Sequence, residues 1–436
     1  MQAEASAALS ERWTRQSIGV LVLCFLAWAF STYETTTLSI ATPAIMADLN
    51  VSRADIGVLN AILRWIISVG SLSAIPLADL LGRRLMVALV VLGYSLLTGL
   101  TGLSQSLLQL TLLSSLTRIP LSAASVTSTM VLEVAPTEAR ATAQGIWGAG
   151  YPFGFLLCSA LSIYLIPAFG WRSLYFVGIV PALLVFFVLL HAPESPHYEK
   201  IKAERQERGR GTNLGRIYLT VLRRYPRETA LGVLAYVCFS WPWAGFLAWV
   251  PTYLNVELGQ GQALSSTYVS AWMLAGVLGH SGFGFLADRW GRRFTVPIAA
   301  VLAGAMFATL GLVRDPTVLL VDGFFLVMLI RAPFSAGLSY VQEVFPTEVR
   351  ATGWALVFGV GILLAGFAPL VAGTTPTIAT AFPLYGLPLL VVAPLYLFVF
   401  KEMIGKELVD AVGDSASQAG AAISSTSGES TVNQGV

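Results

Sequence analysis

Four ionisable side chains stand in the middle of long apolar runs: Glu34, Arg64, Arg118 and Arg331. A charge at mid-bilayer costs several kcal/mol unless it is paired or faces water, so each is a functional candidate by default. A carboxyl group can take up and return a proton as its surroundings change, which makes Glu34 the candidate for proton coupling. Ser31, Thr35 and Ser39 add hydroxyls on the same helical face at spacings of four. The competing reading of Glu34 is a static Glu–Arg pair that fixes two helices in register. Arg118 and Arg331 share a pattern, Arg-x-Pro-x-Ser-Ala, at 118–123 and 331–336. Two such guanidinium groups can grip an anion through forked hydrogen bonds, so a carboxylate is the expected ligand. Arg64 is expected to partner Glu34 or to make a second anion contact. Tyr33, Tyr151 and Trp249, with Trp28, Trp241, Trp243 and Tyr340, could wall in a flat substrate. His280, between Gly279 and Gly282, reads as a packing residue. Asp322 reads as interfacial or as a second titrating group.

These residues need a scaffold that crosses a membrane. Of the 436 residues, 56% are hydrophobic and only 11% charged, against about 25% charged in soluble domains. Runs of roughly 20 apolar residues can span a bilayer. Twelve are predicted, near 17–46, 54–79, 85–103, 107–132, 142–168, 171–190, 229–255, 264–286, 295–313, 316–340, 352–372 and 379–400. The first is too long for a cleavable signal and carries Glu34, so it reads as a span. Cys24, Cys158 and Cys238 lie within spans, far apart and without His neighbours, as small buried hydrophobes would.

The chain is a duplicated half. Ile75-Pro-Leu-Ala-Asp-Leu-Leu-Gly-Arg-Arg84 returns as Gly284-Phe-Leu-Ala-Asp-Arg-Trp-Gly-Arg-Arg293, and the two Asp residues, Asp79 and Asp288, stand 209 residues apart. Glu133-Val-Ala-Pro-Thr-Glu-Ala-Arg140 returns as Glu343-Val-Phe-Pro-Thr-Glu-Val-Arg350 at nearly the same offset. Repeats of that length in an apolar chain point to a transporter made of two similar bundles.

Orientation follows from the basic residues, which resist translocation close to a span. Of 26 Lys and Arg, only Arg53, Arg172 and Arg314 fall in odd-numbered loops, while twenty fall on the terminal and even-loop side. Both termini are therefore expected in the cytoplasm. The predicted organisation is a cytoplasmic segment 1–16, a six-helix bundle 17–192, a cytoplasmic linker 193–228, a second bundle 229–400 and a disordered tail 401–436. The linker holds nine basic residues and five acids, and suits a short amphipathic helix on the membrane surface.

The duplicated Asp–Gly-Arg-Arg motif resembles the signature of the major facilitator superfamily, and the likeness covers about 17–400. The first copy departs, with Ile75 and Leu80 where that signature has Gly and Arg. The resemblance implies an all-α membrane protein with twelve transmembrane helices in two six-helix repeats. Pro193-Glu-Ser-Pro196 and the Glu-x-x-Pro-x-Glu-x-Arg pair resemble the branch of sugar porters, nicotinate carriers and aromatic-acid:proton symporters. Trp249-Val-Pro-Thr-Tyr-Leu254 is similar to its organic-acid members. Where the aromatic-acid family has Asp-Gly-x-Asp in span 1, Ser31-Thr-Tyr-Glu34 keeps a single acid. The resemblance also implies that spans 1, 4, 7 and 10 line the cavity. It implies a cytoplasmic gate of Asp79, Arg83, Arg140, Asp288, Arg292, Arg350, Glu133 and Glu343, with Glu138 and Glu348 beside them.

The expected function is proton-coupled uptake of a small organic anion, an aromatic or other carboxylate, by alternating access. The partners are that solute, protons and the lipid bilayer. The setting is the inner or plasma membrane, and the unit a monomer. Two alternatives stay open: a proton-coupled exporter of drugs or metabolites, and an importer of a neutral or zwitterionic solute such as a sugar or a nicotinate-like compound. No cofactor, metal, nucleic acid or enzymatic step is expected. Gly282-x-Gly284-x-x-Ala287 imitates a dinucleotide fingerprint but follows an apolar helix rather than a strand.

Overall fold

A computed structural model describes residues 13–399 apart from 82, 123–125, 136–139, 180–213, 338–344 and 346–349. The described residues form helices joined by short turns, with no strand among them. Nine of their helices are long and apolar enough to cross a membrane, and a shorter apolar helix covers Leu85–Thr101. The predicted spans near 107–132, 171–190 and 316–340 run partly outside the described residues, as do the segment 1–16, most of the linker and the tail.

The first half contains α1 (Arg15–Leu49), α2 (Arg53–Leu81), α3 (Arg83–Thr101), α4 (Leu107–Leu121), α5 (Val126–Val134), α6 (Arg140–Phe169) and α7 (Arg172–Val177). Next comes α8 (Leu214–Arg224). The second half contains α9 (Pro226–Thr252), α10 (Gly261–Trp290), α11 (Arg292–Leu310), α12 (Pro316–Leu329), α13 (Arg350–Ala365), α14 (Ala368–Thr374) and α15 (Ile378–Pro394).

Helix α1 shows how polar residues survive in a span. Thr14 and Ser17 cap its start reciprocally, and Asn50 closes its end in the left-handed region at φ 50°. Between them Thr32, Thr35, Thr36, Thr37 and Thr42 return their hydroxyls to carbonyls three or four residues back. Each hydroxyl is satisfied within its own helix, as a medium without water demands. Outward faces are apolar instead: Leu85, Leu89, Leu96 and Leu100 on α3, and Leu108, Leu112, Leu116 and Ile119 on α4, are exposed at helical spacing. Close crossings rest on small residues. A Cβ on Gly154 of α6 would collide with the Ala29 carbonyl of α1.

Among the described residues the halves meet at several helix crossings. Where α6 meets α10, Ser159 and Ser162 bond Ser270 and Ser266 at 2.8 and 2.7 Å. Where α2 meets α13, Ser68 donates to the Gly359 carbonyl at 2.6 Å. At the end carrying the odd loops, Ser39 of α1 donates to the Leu247 carbonyl of α9. There Arg53 reaches Glu257 at 3.3 Å, and Glu257 accepts the Ile378 and Ala379 amides that start α15. Outside that seam, Arg172 pairs with Asp48 at 2.8 Å within the first half.

Candidate functional site

Glu34 lies midway along α1 and Arg118 near the end of α4, just before Pro120. Arg118 Nη1 donates to Glu34 Oε2 at 2.6 Å, and both side chains are buried, 3% and 5% exposed. Arg118 Nη2 reaches the Thr35 carbonyl at 3.5 Å. Its Nε has no partner among the described residues. Glu34 is thus held by Arg118, the residue expected to grip substrate, rather than by Arg64. Arg64 of α2 is half-buried.

Arg331, the second-half counterpart, follows the end of α12 at Ile330 and precedes the wide turn Pro333–Gly337. Pro333 removes a backbone donor, and π-type turns are frequent at functional sites. The Arg331 guanidinium sits 3.6 Å from the Trp243 ring centroid, with Phe334 and Tyr151 at 5.6 and 5.7 Å. Arg331 is 3% exposed, yet its Nε and Nη2 have no hydrogen-bond partner among the described residues. A desolvated cation over Trp gains about 2 kcal/mol from the ring, less than several kcal/mol of effective desolvation cost. The balance favours an incoming anion.

The rings form a wall across the halves. The Trp243 indole N–H donates to the Tyr151 hydroxyl at 3.1 Å, joining α9 to α6. Trp28 of α1 lies 6.1 Å from Tyr151 and stacks on Trp147 at 4.8 Å. Tyr151 thus touches both Trp243 and, across 5.7 Å, the Arg331 guanidinium. His280 of α10 projects its Nε2 towards Gly148 of α6, while its Nδ1 is buried without a partner among the described residues.

Two expected wall residues are elsewhere. Tyr33 points into the first half and donates to the Leu174 carbonyl at 2.9 Å. Trp249 is fully buried and donates to the Pro369 carbonyl at 2.8 Å, beside Gly57. Both spend their polar atom on a backbone oxygen and pack helices together, so neither joins Arg331. Phe334 and Trp147 were not singled out by sequence. Phe334 belongs to the Arg-x-Pro-x motif itself, and Trp147 is one turn from Tyr151 on α6. Of the gate residues, Arg292 opens α11 half-buried. Asp79, Arg83, Glu133, Arg140, Asp288 and Arg350 occupy helices with only their backbone described; Glu343, Glu138, Glu348 and Tyr340 lie outside the described residues.

A two-part helical bundle with buried charges and an aromatic wall between its halves defines a membrane transporter. The chain belongs to the Major Facilitator Superfamily, whose family model matches residues 21–369. It is therefore a transporter and not an enzyme. It is 27% identical over 358 residues to the cis,cis-muconate transport protein of Acinetobacter baylyi, covering 81% of this chain and 86% of that one. It is 28% identical over 392 residues to the gallate transporter of Pseudomonas putida, covering 84% and 87%. In fold it matches a D-xylose-proton symporter with a TM-score of 0.73 at 16% identity, over 90% of this chain and all of that one.

Proposed function

We propose that the chain takes up a small organic anion, an aromatic or other flat carboxylate, together with protons by alternating access. The observation that carries this reading is Arg331: a buried guanidinium against Trp243 with two nitrogens still lacking acceptors among the described residues. A carboxylate fills those positions, and an adjoining planar group can lie along Trp243 and Tyr151. The named substrates of the two relatives, muconate and gallate, are flat carboxylates, which supports the same class.

Proton coupling follows from the Glu34–Arg118 pair. A proton on Glu34 neutralises the carboxylate and frees Arg118 to turn to the substrate. Loss of the substrate lets the pair re-form as the proton departs. One proton carried with one monocarboxylate moves no net charge. The halves then rock about this site, parting at Ser159–Ser270 and Ser162–Ser266 on one face and closing on the other. In this reading the termini and even loops are cytoplasmic, the membrane is the inner or plasma membrane, and the monomer is the working unit. The bundles are 17–192 and 229–400, and the charges Asp79, Arg83, Glu133, Arg140, Asp288, Arg292, Glu343 and Arg350 form the cytoplasmic gate.

The test is uptake of labelled cis,cis-muconate, gallate and 4-hydroxybenzoate into proteoliposomes after an acid-outside pH jump. Accumulation of at least one acid is expected. Glu34→Gln is expected to keep exchange of that acid between the two sides but to lose accumulation driven by the pH gradient. Uptake indifferent to the gradient, or a Glu34→Gln protein that still accumulates solute, would overturn the coupling.

A further inference from the structure

We propose that α8, with the exposed arginines in its last turn and just beyond it, is a binding site for an anionic phospholipid of the surrounding bilayer. The helix is anchored where a headgroup would be. Tyr218 donates to the Leu72 carbonyl of α2 at 2.7 Å. Leu72 lies nineteen residues beyond Arg53, about 28 Å along the helix axis, close to one hydrocarbon thickness. Val221, one turn from Tyr218, is fully buried against the bundle.

The rest of the helix turns away from protein. Stepping about 100° per residue from the Tyr218–Val221 face brings Leu222, then Leu219, then Arg223. Leu222 and Leu219 are 46% and 45% exposed, and Arg223, Arg224 and Arg227 are exposed too. Arg224 lies over the Tyr225 ring at 5.9 Å. Among the described residues from 218 to 228, Glu228 is the one acid against these three cations. Exposed leucines beside arginines are in conflict in water and are both satisfied at a lipid surface. There the leucines meet acyl chains and the guanidinium groups meet phosphates. A soluble anion would serve the arginines and leave the leucines wet.

The site also sits on a joint that must move. The Leu72 side chain nests against Gly359 of α13, and Ser68 one turn away bonds the Gly359 carbonyl. A lipid held on α8 therefore bears on the α2–α13 crossing between the halves, a role independent of which solute is carried.

The experiment titrates the full-length protein in neutral detergent with short-chain phosphatidylglycerol or phosphatidylcholine and counts bound lipid by native mass spectrometry. Phosphatidylglycerol is expected to bind more tightly. Each arginine near an anionic surface adds roughly fivefold, so Arg223→Gln with Arg224→Gln should weaken it roughly 25-fold. Phosphatidylcholine binding should stay unchanged in that variant. Leu219→Ser with Leu222→Ser should weaken both lipids. Unchanged phosphatidylglycerol affinity in the arginine variant overturns the proposal. So does displacement of the lipid by millimolar glycerol phosphate, which would mark a site for a soluble anion. No transport substrate enters the measurement, so its failure and a failure of the transport reading are separate results.

Discussion

Arg118 and Arg331 occupy the same motif in the two halves, yet they are stabilised by different means. Arg118 is neutralised by a carboxylate at 2.6 Å. Arg331 is held against an indole face, with nitrogens that lack acceptors among the described residues. The first arrangement is balanced in charge, though the Arg118 Nε lacks a partner among the described residues, and in the proposed function a proton upsets that balance. The second is incomplete until an anion arrives. The repeat carries two equivalent cations, and in the proposed function their different neighbours divide the labour between proton and solute.

The sharpest way to break this contrast is to remove one member of the pair. Glu34→Ala leaves Arg118 buried and alone, and is expected to destabilise the protein by about 3–5 kcal/mol. Replacing both by leucine should recover most of that loss in thermal unfolding. A full-sized loss in the double variant would show that the pair is not the source of the stability.

Arg331→Leu should behave in the opposite sense. It deletes a cation whose charge no described carboxylate meets, so the melting temperature should hold or rise. Affinity for the transported carboxylate should fall roughly 100-fold, about 3 kcal/mol. Measuring ligand-induced thermal shifts on both variants reads the two effects together. A destabilised Arg331→Leu protein that still binds the acid normally would reverse the assignment.

The smallest effect concerns the ring beneath Arg331. Trp243→Leu keeps an apolar wall but removes the indole face and its bond to Tyr151. Binding should weaken about tenfold, for a loss of 1–2 kcal/mol, while pH-driven coupling stays intact. A coupling defect without an affinity change would place Trp243 with the Glu34 system instead.

The bundle and its repeat were legible because bilayer-length apolar runs and duplicated charged motifs leave large signals. Glu34, Arg64, Arg118 and Arg331 were legible for the same reason, since an ion at mid-depth stands out. Their pairing was not. The assignment of Glu34 to Arg118 rather than Arg64 depends on how α1, α2 and α4 rotate about their axes. In a soluble helix the polar stripe reports that rotation. In α1 and α9, lipid and core are both apolar, and the stripe is nearly absent from the sequence. Tyr33 and Trp249 were misplaced for this reason: each looked like a cavity ring, and each turns to a backbone carbonyl, Leu174 and Pro369 respectively. Phe334 and Trp147 were overlooked because an aromatic in a span carries no mark of its direction.

The serine contacts between α6 and α10 have a consequence for how the molecule moves. A neutral hydroxyl pair contributes about 1 kcal/mol net, and three of the four serines keep a second acceptor in reserve. Ser159 also points to the Leu156 carbonyl, Ser162 to Ser159 and Ser270 to Ser266. Drawing the two helices apart strands no ion and leaves three of the four hydroxyls a carbonyl of their own helix to turn to. Such a fastening behaves as a zip rather than a bolt, undone tooth by tooth and ready to mesh again on the return stroke.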